Sequence, residues 1–308
     1  LESANGMTAI LGLGTAQFGG DYGISNTRGR VGEDEARQIL QLAADCKVLA
    51  LDAAWYDGDV ERIVGRNWPF PSPFKPQIRT LPLDKGLDWV ESRLRRSVEH
   101  MGLARAHAAL VDRAEDLTGE QGDALWARLE KLKSEGLISR IGISATVADQ
   151  PLLLARRFKP DLMQVPASIL DQRLVRSGEI RAIADLGVEV QIREVFLQGL
   201  LFLPREALPA NLTDIGPHLS RVRRIMAECG ADPLHAALSY ALNIDGVSSA
   251  IVGVTSAAEL RAIIAASERP SPRIPWESLA LNDEVALDPK QWFADLGERA
   301  QRRLVRVA

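Results

Sequence analysis

At 308 residues the chain is long for one domain, but an α/β barrel routinely folds as a single unit of this size. With 46% apolar and 25% charged residues it can bury a sizeable core, and its net charge of -4 argues against a dedicated nucleic-acid or anionic-membrane surface. Cys46 and Cys229, far apart and without a Cys-x-x-Cys pair, offer neither a disulfide framework nor a zinc site; no apolar run reaches the roughly 18 residues of a membrane span, so a cytoplasmic setting is expected.

Residues 1–6 read as a tag or leader before Met7, and 7–308 as a single domain. Short β-rich runs fall at 10–13, 48–51, 76–80, 108–111, 140–143, 162–165, 188–192 and 249–252. Between them the stretches 33–46, 87–101, 122–134, 148–158 and 257–266 repeat apolar residues at helical spacing, and a further helix opens near Asp59. Eight such alternations with no break in composition predict a closed (β/α)8 barrel, the TIM-barrel architecture. An open doubly wound sheet is the alternative, but Gly12-Leu-Gly-Thr-Ala-Gln-Phe-Gly19 lacks the dinucleotide-binding spacing. The stretch 200–217 and the C-terminal segment 270–308 exceed ordinary loop length; each is expected either to line a site or to pack on the surface, around Trp276 and Trp292 in the second case.

The second strand ends in Asp52, followed by Ala-Ala-Trp-Tyr-Asp-Gly-Asp-Val-Glu61, which places a carboxylate at the mouth of the barrel. This segment resembles the aldo-keto reductase pattern Asp-Thr-Ala-x-x-Tyr-Gly-x-x-Glu. Further pieces resemble the same family in the same order: Leu11-Gly-Leu-Gly-Thr15, Arg140-Ile-Gly-Ile-Ser144, Asp161-Leu-Met-Gln164, Val195-Phe-Leu-Gln-Gly199 and Ile251-Val-Gly-Val-Thr-Ser256. Gln17-Phe-Gly-Gly-Asp-Tyr-Gly-Ile-Ser-Asn26 is similar to a subgroup associated with sugar and surface-polysaccharide pathways, hence with carbohydrate metabolism. The resemblance implies a barrel of the aldo-keto reductase type and NAD(P)H-dependent oxidoreductase activity with an Asp, Tyr, Lys and His tetrad.

Carried over residue by residue, Asp52 matches the family's Asp, Asp57 stands at the Tyr, Arg79 at the Lys and Asp112 at the His. Tyr56 lies one place early, and a loop shift would return its hydroxyl to the carbonyl site; otherwise Tyr56 and Trp55 are expected to line the pocket wall. Thr15, Ser144, Gln164, Arg193 and Gly253 occupy cofactor-binding positions. Four positions at or near these are altered: Ala145 replaces an amide-binding Asn, Arg193 replaces a stacking aromatic, and Gly253 and Glu259 replace phosphate-binding cations. With Glu194 beside Arg193, weak binding of NADP or NAD is expected.

Three functions stay open. Asp52, Asp57 and Asp112 form an acid/base cluster that, with Arg79 as counter-charge, suits isomerisation, dehydration or hydrolysis of a small polyhydroxylated substrate, neutral or anionic. An oxidoreductase of sugar-like carbonyls with an atypical tetrad is the second, and a non-catalytic ligand-binding or regulatory barrel the third. Three carboxylates also suit Mg²⁺ or Mn²⁺, although Arg79 argues for no metal. His100, His107, His218 and His235 fall away from the expected mouth.

Overall fold

The computed structural model describes residues 9–53 and 59–292. Eight parallel strands close into one barrel in chain order: β1 (Ile10–Gly14), β2 (Ala50–Asp52), β3 (Lys75–Arg79), β4 (Ala108–Val111), β5 (Ile141–Ser144), β6 (Leu162–Pro166), β7 (Glu189–Arg193) and β8 (Val247–Gly253). The longer helices around them are α1 (Glu33–Asp45), α2 (Asp59–Asn67), α3 (Leu87–His100), α4 (Gly122–Ser134), α5 (Pro151–Phe158), α6 (Glu179–Asp185), α7 (Gly216–Glu228), α8 (Pro233–Leu242) and α9 (Ala257–Ser267).

Most strand residues are buried, so β4 and β5 read as largely apolar runs rather than alternations, while β3, β6 and β7 carry the buried polar residues Gln77, Gln164 and Gln191. Outward residues such as Leu13, Leu51, Ile78 and Val165 join the buried stripe of each helix, for example Ile39 and Leu40 of α1, in one large apolar shell. Small residues let large ones fill the barrel interior. A Cβ on Gly12 would lie 2.4 Å from Ile251 Cδ1, and one on Gly142 would lie 2.9 Å from Leu162 Cγ. Ala108, Leu110 and Leu162 form a separate apolar plug inside the staves.

Several element boundaries differ from the sequence expectation for local reasons. The second strand begins at Ala50 rather than at residue 48, because the Val48 amide donates to Ala43 O at 2.8 Å and closes α1 after Lys47 turns left-handed. The expected helix 148–158 splits at Gln150, which adopts φ 53° ahead of Pro151, where an αR conformation is sterically disfavoured. The stretch 200–217 is folded into 3₁₀ turns at Leu197–Phe202, Arg205–Ala207 and Ala210–Ile215, and leads into α7. The C-terminal stretch packs down by the Leu281 amide on Leu170 O (2.8 Å), Gln172 Nε2 on Trp276 O (2.7 Å) and a buried Trp292. Among the described residues no helix is long and apolar enough to cross a membrane.

The motif's Glu61 and the nearby Gly65 serve packing. Glu61 is buried and forms an ion pair with Arg93 of α3 at 2.9 Å. A Cβ on Gly65 would stand 2.6 Å from Met101 Cα, so only glycine lets α2 approach the end of α3 this closely.

Candidate functional site

The strands' C-terminal ends open into a cleft of about 1230 Å³. Its floor is an ion network drawn from four strands. From the end of β3, Arg79 grips Asp52 bidentately, with Nε donating to Oδ1 at 3.0 Å and Nη2 to Oδ2 at 2.6 Å. Its Nη1 donates to Asp112 Oδ1 at 2.5 Å, and Nη2 also donates to Gln164 Oε1. Gln164 Nε2 in turn donates to Asp52 Oδ2 at 3.2 Å. The arrangement follows from strand pairing, because β2, β3 and β4 are consecutive staves: Asp52 pairs with Gln77 and Arg79 with Leu110. Arg79 and Asp112 thus each stand two residues further along the neighbouring strand, and the long Arg79 side chain reaches both carboxylates.

Burial by itself would lower the pKa of Arg79; the charges of Asp52 and Asp112, with hydrogen bonds to both, outweigh it and hold the guanidinium above its usual range. The cluster thus carries two carboxylates against one fixed cation. Asp52 has both oxygens committed. Asp112 is one-third exposed, with a side-chain accessibility of 34%, and among the described residues its second oxygen accepts no hydrogen bond. That oxygen is offered to the cleft, while the Asp112 amide is held by donation to Thr80 Oγ1 at 3.2 Å.

Asp52, Arg79, Asp112 and Gln164 are therefore brought together. Asp57 and Tyr56, with Trp55, lie outside the described residues. Of the expected cofactor contacts, Gln164 is spent on the ion network. Thr15 is fully buried, its hydroxyl donating to Asp52 O at 2.9 Å and so pinning the end of β2. Ser144 and Gly253 line the cleft.

Arg193 lines the opposite wall, with Nη1 3.4 Å from Glu194 Oε1 and Nε lacking a partner among the described residues. Glu194 adopts φ 62°, a left-handed conformation uncommon for a side-chain-bearing residue. Burial pushes the Glu194 carboxyl up, against the opposing charge of Arg193 and a hydrogen bond from Tyr22 Oη at 3.4 Å. Tyr22, Phe196 and Phe202 supply aromatic surface to the cleft; the two phenylalanine rings are 5.3 Å apart. The pairing of Tyr22 with Glu194 was missed from sequence, although Tyr22 stands inside a recognised motif, because the partners are 172 residues apart.

The barrel matches known proteins. A family model described as "Aldo/keto reductase family" matches residues 10–279. Among solved structures, the holo form of an aldo-keto reductase from Bacillus halodurans, AKR11C1, superposes with a TM-score of 0.67 at 21% identity, covering 86% of this chain and 88% of that one. A Pseudomonas aeruginosa chain, provisionally described as an aldo-keto reductase, gives 0.63 at 20% identity, over 87% and 93%. No curated protein matches. These likenesses show the fold, and the family model, spanning most of the sequence, shows the kinship: the chain belongs to the aldo/keto reductase family.

Proposed function

We propose that this barrel moves protons on a small polyhydroxylated substrate, in an isomerisation, dehydration or hydrolysis, rather than reducing a carbonyl with hydride. The observation that carries this reading is Arg79 bound to both Asp52 and Asp112 while Asp112 keeps one oxygen facing the cleft. A guanidinium does not give up its proton in a protein, so Arg79 cannot take the part of a proton-sharing lysine. It suits a different task, fixing Asp112 as an acceptor for a substrate C–H or O–H proton. Across the cleft, Glu194 is the complementary group, since burial raises its pKa against the opposing charge of Arg193 and so shifts it toward proton donation. Phe196, Phe202 and Tyr22 give a sugar ring an apolar face to lie on.

A second reading, a nicotinamide-dependent oxidoreductase of sugar-like carbonyls, is favoured by family membership. It requires Tyr56 as the proton donor. Incubation with aldoses, ketoses and sugar acids in D₂O, followed by NMR, separates the readings. Wild-type protein is expected to wash deuterium into one of them, and Asp112→Asn to lose roughly 10²–10⁴-fold of that rate, the usual worth of a general acid or base. Exchange that survives Asp112→Asn intact would contradict the proposal.

A further inference from the structure

The end of β8 and the first turn of α9 correspond to the loop that resembles the family's phosphate-binding segment. A helix start of this kind presents unpaired amides to an anion. Here those amides already hold anions of the chain itself. The Thr255 amide and hydroxyl donate to Glu259 Oε2 at 2.7 and 2.9 Å. The Ala257 amide donates to Glu35 Oε1 at 2.7 Å, a carboxylate that arrives from α1, 222 residues away in sequence. Ser256 completes the cap by accepting from the Glu259 amide at 3.2 Å.

Beside this turn the space for a long cation is filled. A Cβ on Gly253 would stand 2.5 Å from Gln17 Nε2, so the buried Gln17 side chain occupies the volume that a lysine there would enter. A dinucleotide phosphate would have to displace two carboxylates and then remain beside them, with like charge facing like at short range.

We infer that the dinucleotide seat of this barrel is closed from within, Glu35 and Glu259 standing where phosphates would be held, and that neither NADPH nor NADH is taken up there. The closure excludes the nicotinamide reading but does not depend on the proton chemistry proposed for the mouth, so loss of the acid/base reading to a non-catalytic barrel would leave it intact. Titration with NADPH and NADH, read by nucleotide fluorescence, tests it. Wild-type protein is expected to show no saturable binding at micromolar nucleotide. Glu35→Ala combined with Glu259→Lys is expected to tighten NADPH binding by at least about tenfold, a gain of roughly 1.4 kcal/mol, and to favour NADPH over NADH. Glu259 is exposed, so Glu259→Lys alone provides the same reading if the double variant does not fold. Micromolar binding by the wild type would overturn the inference, as would folded variants, judged by circular dichroism, that gain nothing.

Discussion

Arg79 holds two aspartates at once, and its replacement tests how much of the mouth depends on that grip. Arg79→Leu leaves Asp52 with only Gln164 and Asp112 with no counter-charge. Removing one partner of a buried pair typically costs about 3–5 kcal/mol, and the lower end is expected because Asp112 is partly exposed. Arg79→Lys should recover only part of this, since an ammonium cannot span two carboxylates as a planar fork does. Denaturant unfolding of both variants measures it; stability equal to wild type in Arg79→Leu would mean that the network contributes nothing.

Glu194 gives a prediction in pH. Its folded-state pKa is raised by burial, so the folded protein binds this proton more tightly than the unfolded chain does. Stability from this group is therefore greatest below the usual glutamate range and falls as pH rises through the raised value. Glu194→Gln stays neutral and lacks that fall. The melting-temperature advantage of the variant should grow between acidic and neutral pH, whereas a constant difference would mean that water reaches the carboxyl.

At the scale of elements, the β1 and β7 loops lock together over the cleft. The Ile24 amide donates to Gln198 O at 3.0 Å, and Asn26 braces its own loop through Tyr22 O and the Arg28 and Gly29 amides. Gly199, at φ 93°, lets Ser25 approach so closely that a Cβ would fall 1.8 Å from Ser25 Oγ. Gly199→Ala is expected to cost about 2–3 kcal/mol from backbone strain and the clash together. Ser25→Gly should restore the steric share alone, and a double-mutant cycle checks this; simple additivity would show that the loops do not meet. Both loops stood out in the sequence as motifs, yet their contact did not, because neither carries a local signal of its partner. Likewise Asp52, Arg79 and Asp112 were readable as strand-end residues, while the Gln164 link and the hydrogen bond from Tyr22 to Glu194 depend on barrel closure. The split at Gln150 was legible in principle, since Pro151 follows it.

For the whole molecule, the eight alternations of strand and helix were enough to predict the barrel, because most of the strands are short β-rich runs bounded by turn residues. Chemistry was less legible. The same fold hosts many reactions, so the chemistry has to be read from the few residues at the mouth. Glu35, which fills the α9 turn from another helix, has no sequence signature at all. The central claim is that this family member moves protons instead of hydride. It is tested most directly by the initial rate of NADPH and NADH oxidation with a panel of sugar aldehydes and ketones, comparing wild type with Tyr56→Phe. The account predicts no nucleotide oxidation above the enzyme-free rate in either protein. Steady oxidation by the wild type that Tyr56→Phe abolishes would contradict it and restore a working reductase.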